Sequence, residues 1–248
     1  MNKILVVGSM NMDYTIYCEK FPLDGETIYG KKRIVQPGGK GANQAAAAAK
    51  SRLAPITFIG ARGDDHDGKT IENLLKNLGI AAFLKVCPDL ETGNATIDVS
   101  DSGENKIIII AGSNGNLLPS DISEDIIKEH EYIVLQNEIP QSTNARVMEL
   151  AHKYNKKVVY NPAPYRPIDK NVFQYVDYLA VNEVELMRYS GAEGIKEGAD
   201  VLLNEGVKHL IITLGSDGSM YKSKNEEFSI KAHKVKAVDT VAAGDTYI

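Results

Sequence analysis

The 248-residue chain contains no tryptophan, only two cysteines and no excess of positive charge. Cys18 and Cys87 are too few for a disulfide framework and lack the spacing of metal ligands, so we expect reduced thiols. The formal net charge of −5 argues against a nucleic-acid binder and against a protein drawn to anionic membranes by a global positive field. Any anionic ligand must therefore be held by local features.

Long apolar segments are also absent. The longest runs, among them residues 45–49 and 107–111, are far shorter than the ~18 residues that a membrane-spanning helix needs. The four apolar residues between Lys3 and Gly8 are too few for the apolar core of a signal peptide. We therefore expect a cytoplasmic protein with no membrane partner.

Short apolar runs alternate with helix-forming segments along most of the chain. Such alternation predicts a doubly wound α/β fold with a mostly parallel sheet and helices on both faces. The length suits one large domain over residues 1–248. The predicted strands are residues 4–7, 56–59, 132–136, 157–160, 178–181 and 209–213, and the predicted helices are 43–53, about 71–78, 120–129, 142–154, 183–189 and 196–205.

Two segments fall outside this alternation. Residues 14–36 are rich in β-forming side chains without a helical period, and residues 95–111 form two β-rich runs around a turn at 101–104. We predict that strands within about 14–36 and 95–111 pair with each other and project from the main body as a small sheet.

Polar residues follow the predicted strands at the point where each ends. In open α/β sheets, ligands bind beyond the carboxyl ends of the strands. A solvated loop residue or a helix cap is the simpler interpretation of any single position, but five such ends predict a shared crevice. The residues concerned are Asn11, Asp13, Asn137, Glu138, Asn161, Asn182, Glu185, Thr213 and Gly215.

Three glycines within four positions, Gly38, Gly39 and Gly41, precede the alanine-rich helix. They allow the backbone to approach a ligand closely, and the helix N-terminus behind them offers free N–H groups. The spacing matches neither the dinucleotide fingerprint nor the P-loop. Taken alone, the motif is equally compatible with a tight turn between a strand and a helix.

A second motif of small residues, 240–244, is bounded by Asp239 and Asp245. A small-residue turn that enters a helix can form an anion hole from its N–H groups, and an aspartate there can accept a proton from a hydroxyl. The simpler alternative is that Asp245 caps a helix.

In chain order, these motifs resemble the ribokinase branch of the PfkB family of carbohydrate kinases, and the resemblance covers the whole chain. It implies a ribokinase-like α/β fold with a β-sheet lid. It also implies a sugar site, because residues 11–13 are similar to the family's sugar-binding segment, residues 38–44 to its glycine motif, and Glu138 to its second carboxylate. The implied sugar-binding residues are Asn11, Met12, Asp13, Gly39, Lys40, Gly41, Ala42, Asn43 and Glu138.

The resemblance also implies a nucleotide site. Residues 182–185 look like the family's N-x-x-E motif, residues 213–218 like its nucleotide loop, and residues 239–245 like the motif that carries its catalytic aspartate. The implied ATP-binding residues are Asn182, Thr213, Leu214, Gly215, Ser216, Asp217, Gly218 and Gly244. The implied metal sites are Glu185, which holds Mg²⁺ through water, and Asp239 with the Val241 carbonyl, which bind an activating K⁺.

The reaction implied by the resemblance is transfer of the γ-phosphoryl group of ATP to the 5-hydroxyl of D-ribose. Asp245 would be the catalytic base, with the N–H groups of Ala243 and Gly244 completing the anion hole. A local departure, Ala242 where the general family has glycine, is shared with ribokinases. The resemblance further implies a homodimer formed through the lid.

Two alternatives remain open at this stage. One is a kinase of the same family for another sugar or a nucleoside, although the amino-acid sequence of residues 40–43 favours ribose. The other is a non-catalytic sugar-binding fragment, because family members continue well beyond the aspartate motif and only three residues follow Asp245 here. We expect the natural chain to continue into the remainder of the adenine pocket and the K⁺ site.

Overall fold

The computed structural model describes residues 2–235 and 242–248. Its main body is a nine-stranded sheet in the order β13-β12-β11-β10-β9-β8-β1-β4-β5. Six neighbouring pairs are parallel, and only β11–β12 and β12–β13, at one edge, are antiparallel. These strands are β1 Ile4–Val7, β4 Ile56–Gly63, β5 Ala81–Cys87, β8 Tyr132–Gln136, β9 Lys157–Asn161, β10 Tyr178–Asn182, β11 His209–Thr213, β12 Ser219–Ser223 and β13 Glu227–Ile230.

Both faces of this sheet are buried. In β1, Leu5 and Val7 point into one apolar core, whereas Val6 points into a second core on the opposite face. A continuously apolar strand is typical of a parallel sheet with helices on both faces. The helices are α1 Lys40–Ser51, α2 His66–Asn77, α3 Glu124–Glu129, α4 Gln141–Lys153, α5 Glu183–Ser190, α6 Ile195–Asn204 and α7 Ala243–Tyr247. The predicted fold class is confirmed.

A separate four-stranded sheet corresponds to the predicted projecting strands. Its order is β3-β2-β6-β7, with β2 Asn11–Cys18, β3 Lys32–Gly38, β6 Gly93–Ser100 and β7 Asn105–Ile110. We call it the lid sheet. Its central pair is parallel and places Asp13 opposite Ala95, and both outer pairs are antiparallel. The chain therefore enters the lid sheet immediately after β1, at the carboxyl edge of the main sheet.

Several boundaries differ from the sequence prediction. The predicted helix at 120–129 is broken into a 3-10 turn, Pro119–Asp121, followed by α3. Helix α1 begins at Lys40 rather than at residue 43, because Gly39 takes φ 87 and serves as its N-cap, a conformation that costs glycine little. Neither β5 nor β12 was predicted. Among the described helices, none is long and apolar enough to cross a membrane.

Candidate active site

The glycine motif packs tightly against the start of β2. A β-carbon at Gly38 would lie 2.1 Å from Asp13 Oδ2, and one at Gly39 would lie 2.7 Å from the Asn11 nitrogen. A larger residue would displace the Asp13 side chain at Gly38 and the backbone at the start of β2 at Gly39. The glycines therefore bring the N-terminus of α1 against Asn11 and Asp13, which the sequence predicted as site residues.

Glu138 links three segments at this point. Its Oε2 accepts a hydrogen bond of 2.5 Å from Ser9 Oγ and one of 2.9 Å from the backbone N–H of Lys40, the first residue of α1. Both bonds among the described residues use the same oxygen, which leaves Oε1 as the acceptor for a ligand. Glu138 is 9% exposed and lines a cavity. It thus caps α1 from the end of β8 and faces the crevice.

Asp245 contacts the first turn of α1 from the opposite end of the chain. Its Oδ1 lies 3.2 Å from Lys40 Nζ, and its Oδ2 accepts a 3.0 Å hydrogen bond from Asn43 Nδ2. The side chain is 7% exposed. Both carboxylate oxygens of Asp245 are therefore engaged by the first turn of α1.

Asp13 is the most perturbed acid of the site. It is 8% exposed, and burial, followed by the negative charges of Glu138 and Asp245, raises the pKa of its carboxyl from 3.8 to about 6. Three carboxylates therefore converge on one space, with Lys40 as the cation that contacts Asp245. Such a cluster of acids in a cleft is typical of a functional site.

Two cavities meet at Lys40 and Asp245. The larger, about 460 Å³, lies between the lid sheet and the body. We call it the lid cavity; beside the shared pair, it is lined by Asn11, Asp13, Gly39, Asn43, Ala95, Ile97, Val99, Asn105, Ile107, Ile109, Glu138, Pro164 and Ala242. We call the smaller one, about 80 Å³, the strand-end cavity. Besides Lys40 and Asp245, it is lined by Asn161, Ala163, Val181, Asn182, Glu185, Thr213, Gly244 and Ile248.

Asn182 and Glu185 form a reciprocal cap on α5 within the strand-end cavity. Glu185 N–H donates to Asn182 Oδ1 at 2.8 Å, and Asn182 N–H donates to Glu185 Oε2 at 3.0 Å. This capping box satisfies two N–H groups that a helix start leaves free. Each side chain keeps further polar atoms for a ligand, but part of the Glu185 carboxylate already has a structural role.

The predicted site residues divide into three groups. The first group consists of the predicted residues that line either cavity, and these lie together in the fold. Met12 and Ala42 are buried in the apolar core, so only their backbone could contact a ligand. Gly41 lies against Ser9, since a β-carbon added there would come within 2.6 Å of the Ser9 nitrogen. Beyond Thr213, which lines the strand-end cavity, Gly215–Asp217 is a 3-10 turn. The residues outside both cavity linings are Met12, Gly41, Ala42, Leu214, Gly215, Ser216, Asp217, Gly218 and Ala243. Asp239 and Val241 lie outside the described residues.

Sequence reasoning missed several residues of the site. Ser9 holds Glu138, and its position between Gly8 and the predicted sugar segment was the only available signal. The alternating residues Asn105, Ile107 and Ile109 of β7 form one wall of the lid cavity, which the period of two in a strand could have indicated. Asn114 holds Asn11, and nothing in the local sequence marks it.

Comparison with known proteins was consistent with this geometry. Residues 1–248 match the family described as pfkB family carbohydrate kinase. A ribokinase of Lactococcus lactis subsp. lactis is 38% identical over 100% of this chain and 81% of its own length. The structure of a ribokinase from Giardia lamblia superposes with a TM-score of 0.92 at 33% identity, over 100% of this chain and 81% of that one. An Arabidopsis thaliana ribokinase complexed with ribose and ATP gives a TM-score of 0.90 at 32% identity, with 99% and 83% covered.

Proposed function

This chain belongs to the pfkB family of carbohydrate kinases, and on that premise we propose that it transfers the γ-phosphoryl group of ATP to the 5-hydroxyl of D-ribose. The observation that carries the proposal is the position of Asp245, which forms part of both cavities and is paired with Lys40. In phosphoryl transfer the acceptor hydroxyl must lie next to the γ-phosphate and within reach of the base, and the meeting of the two cavities at Asp245 supports such an arrangement.

The lid cavity is the proposed sugar site. Ribose offers only hydroxyls and a ring oxygen, so its recognition requires many short hydrogen bonds. Asn11, Asp13, Asn43 and Glu138 supply side-chain donors and acceptors there, and the backbone of residues 39–42 lies beside them. Charge-assisted hydrogen bonds of this kind are stronger than neutral ones. The proposed contacts of Met12, Gly41 and Ala42 are with their backbone. The N–H groups at the start of α1 are not free as the sequence predicted, because those of Gly41 and Ala42 already donate to Ser9 Oγ and to the Ser9 carbonyl.

The strand-end cavity is the proposed site of the transferring phosphate. Asn182, Thr213 and Gly244 line it, and the N–H groups of residues 243–245 begin a helix, where they have no intrahelical partner. We propose that these N–H groups and Lys40 stabilise the charge of the transferring group. The turn over residues 214–218 follows Thr213, which lines the cavity, and is proposed to contact the nucleotide.

The oxygen ligands of the strand-end cavity fit a hydrated Mg²⁺. Mg²⁺ keeps several waters and binds through one or two carboxylates together with substrate phosphates, and Glu185 supplies a partly engaged carboxylate. When bound, Mg²⁺ would neutralise charge on the phosphates. An activating K⁺ at Asp239 and the Val241 carbonyl is likewise proposed from family resemblance, with no step assigned to it.

Replacing Lys40 by methionine is expected to lower kcat by about ten- to a hundredfold, because a hydrogen bond to a charged group contributes roughly 1.5 to 3 kcal/mol. Lys40 contacts Asp245 from the boundary between the cavities, so the loss should appear in kcat more than in the KM for ribose. Steady-state kinetics at saturating ATP measures it. Lys40→Arg, which keeps the charge, is the matched control, and an unchanged kcat in Lys40→Met would contradict the assignment.

We propose that a second copy of this chain pairs with the lid sheet. Strand β7 is an edge strand whose four isoleucines, 107 to 110, are each 43% to 69% exposed. An apolar exposed edge is a template for pairing with another chain. The proposed homodimer acts in the cytoplasm on small molecules, ribose and ATP, with neither nucleic acid nor membrane as partner.

Replacing Ile108 by lysine is expected to shift the protein from dimer to monomer, because Ile108 is 69% exposed and a lysine would place charge on the β7 edge. Ile108 does not line the lid cavity, so the sugar contacts stay intact. Sedimentation velocity reports the state. The control is Phe83→Lys, a similarly exposed residue on the β5 edge of the main sheet. A wild-type protein that is monomeric at micromolar concentration would refute the proposed dimer.

A coupled ADP-release assay with a panel of sugars tests the proposed activity. D-Ribose should give the highest kcat/KM, and 2-deoxyribose, fructose and adenosine should each give lower values. Loss of ATP consumption when sugar is omitted shows that hydrolysis is not the activity. Ribose binding by calorimetry without turnover would instead indicate a sugar-binding protein.

A further inference from the structure

A short 3-10 helix, Gly112–Asn116, follows β7 and lies where the lid sheet joins the body. Ser113 attaches it to both neighbouring segments. Its N–H donates to the Glu91 carbonyl at 2.8 Å, and its Oγ donates to the Ala61 carbonyl in β4 at 3.1 Å. The 3-10 helix is thus fixed to the main sheet, and the next residue, Asn114, is presented from a stable support.

The side chain of Asn114 pairs with the backbone that leads into β2. Met10 N–H donates to Asn114 Oδ1 at 3.0 Å, and Asn114 Nδ2 donates to the Met10 carbonyl at 3.1 Å. The same Nδ2 donates to Asn11 Oδ1 at 2.7 Å. Asn114 is 1% exposed and Asn11 is 3% exposed. A buried amide that uses both donor hydrogens and its oxygen holds its partners in one geometry.

The space for this contact exists only because Gly93 has no side chain. A β-carbon at Gly93 would lie 2.1 Å from Asn114 Nδ2 and 2.4 Å from Asn11 Oδ1. Gly93 is the first residue of β6 and the register partner of Asn11 in β2. Asn114 therefore sits at the point where both central strands of the lid sheet leave the body.

The contact fixes the orientation of the Asn11 amide. Because Asn11 Oδ1 accepts from Asn114, Nδ2 is the polar group that Asn11 keeps for a ligand in the lid cavity. Asn114 itself does not line that cavity. We propose that Asn114 is a positioning residue for sugar binding: it holds the start of β2 and turns Asn11 so that its Nδ2 donates to a sugar oxygen.

This inference rests on the proposed sugar site, and a purely structural role is the alternative. Ser113→Ala is the matched control, because Ser113 is 0% exposed, belongs to the same 3-10 helix and bonds to β4 instead of β2. Both Ser113→Ala and Asn114→Ala should lower the melting temperature. Only Asn114→Ala should change ribose binding.

The experiment is a double-mutant cycle on ribose affinity, measured by calorimetry below the melting temperature of every variant. Asn114→Ala and Asn11→Ala are each expected to weaken ribose binding at least tenfold, and the double variant no more than about twofold beyond Asn11→Ala. Ser113→Ala should stay within twofold of wild type. The KM for ribose should follow the affinity, with kcat changing less than threefold in Asn114→Ala.

Additive losses in Asn11→Ala and Asn114→Ala, or an equal loss in Ser113→Ala, would overturn the positioning role. If Asn114→Ala does not fold, Asn114→Ser is put through the same cycle and judged by the same limits. Wild-type protein and Asp13→Ala separate the two proposals. A wild type that binds no ribose rejects the sugar site, whereas a loss in Asp13→Ala with unchanged binding in Asn114→Ala rejects only the present inference.

Discussion

Replacing Asp245 by asparagine is expected to lower kcat by about 10²- to 10⁴-fold, the usual contribution of a positioned general base. Asparagine has nearly the same shape but cannot accept the proton of the attacking hydroxyl. One amide oxygen also cannot replace both contacts of the carboxylate, to Lys40 Nζ and to Asn43 Nδ2. Stopped-time assays of ribose phosphorylation give kcat, and calorimetry shows whether ribose still binds.

Asp177→Asn is the matched control for Asp245→Asn. Asp177 is also a buried carboxylate, 3% exposed, and its Oδ1 lies 2.9 Å from Lys208 Nζ. It precedes β10, at the amino end of the strands and away from both cavities. Its replacement should lower stability and leave kcat nearly unchanged. A kcat for Asp245→Asn within tenfold of wild type would refute the assignment of Asp245 as the base.

The local parts of this site could be predicted because each rests on a short pattern. The glycines at 38, 39 and 41 predicted either a close backbone approach to a ligand or a tight turn before α1. The structure shows these glycines packed against Asp13, Asn11 and Ser9, and the approach to a ligand stays a prediction. The apolar runs predicted parallel strands, whose carboxyl ends bring Asn11, Glu138 and Asn182 to one edge. These inferences need only the periods of strands and helices and the geometry of glycine.

The contacts between distant segments could not be predicted in the same way. Lys40 and Asp245 are 205 positions apart, and no spacing rule brings them together. Ser9 and Asn114 are single polar residues, and each becomes significant only when folding places it beside Glu138 or Asn11. The antiparallel strand β12 was missed because Ser219–Ser223 is only partly apolar. Tertiary packing, not local preference, decides such positions.

Ribose binding is expected to weaken as the pH falls through about 6, because Asp13 then becomes protonated. Burial and the charges of Glu138 and Asp245 raise the pKa of its carboxyl to about 6, and a neutral carboxyl is a weaker acceptor for sugar hydroxyls. If the ionised form binds ribose, kcat/KM should fall about tenfold per pH unit below this value. A pH profile from 4.5 to 8 at saturating ATP measures the effect.

Asp13→Asn is the control for this pH dependence. At pH 7.5 it should lower kcat/KM for ribose by about ten- to over a hundredfold, since a hydrogen bond to a charged group contributes roughly 1.5 to 3 kcal/mol. Its profile should lack the inflection near pH 6. A wild-type profile without that inflection, or one that Asp13→Asn retains, would exclude Asp13 as the titrating group.

The same ionisation should make the folded protein less stable as the pH rises. The pKa of Asp13 is higher in the folded protein, about 6, than its ordinary value of 3.8, so between these values the folded state binds more protons than the unfolded state. Stability is therefore lost from pH 4 to 6 and not regained at neutral pH, at a cost of roughly 2 to 3 kcal/mol.

Asp13→Asn removes the buried charge, so it should raise the free energy of unfolding at pH 7.5. The difference from wild type should shrink at pH 4. Urea unfolding at both pH values measures this difference. Equal free energies of unfolding for the two proteins at pH 7.5 would show that the ionised Asp13 carboxyl does not destabilise the fold. A more stable but less active Asp13→Asn would show that the charge needed for sugar recognition lowers the stability of the fold.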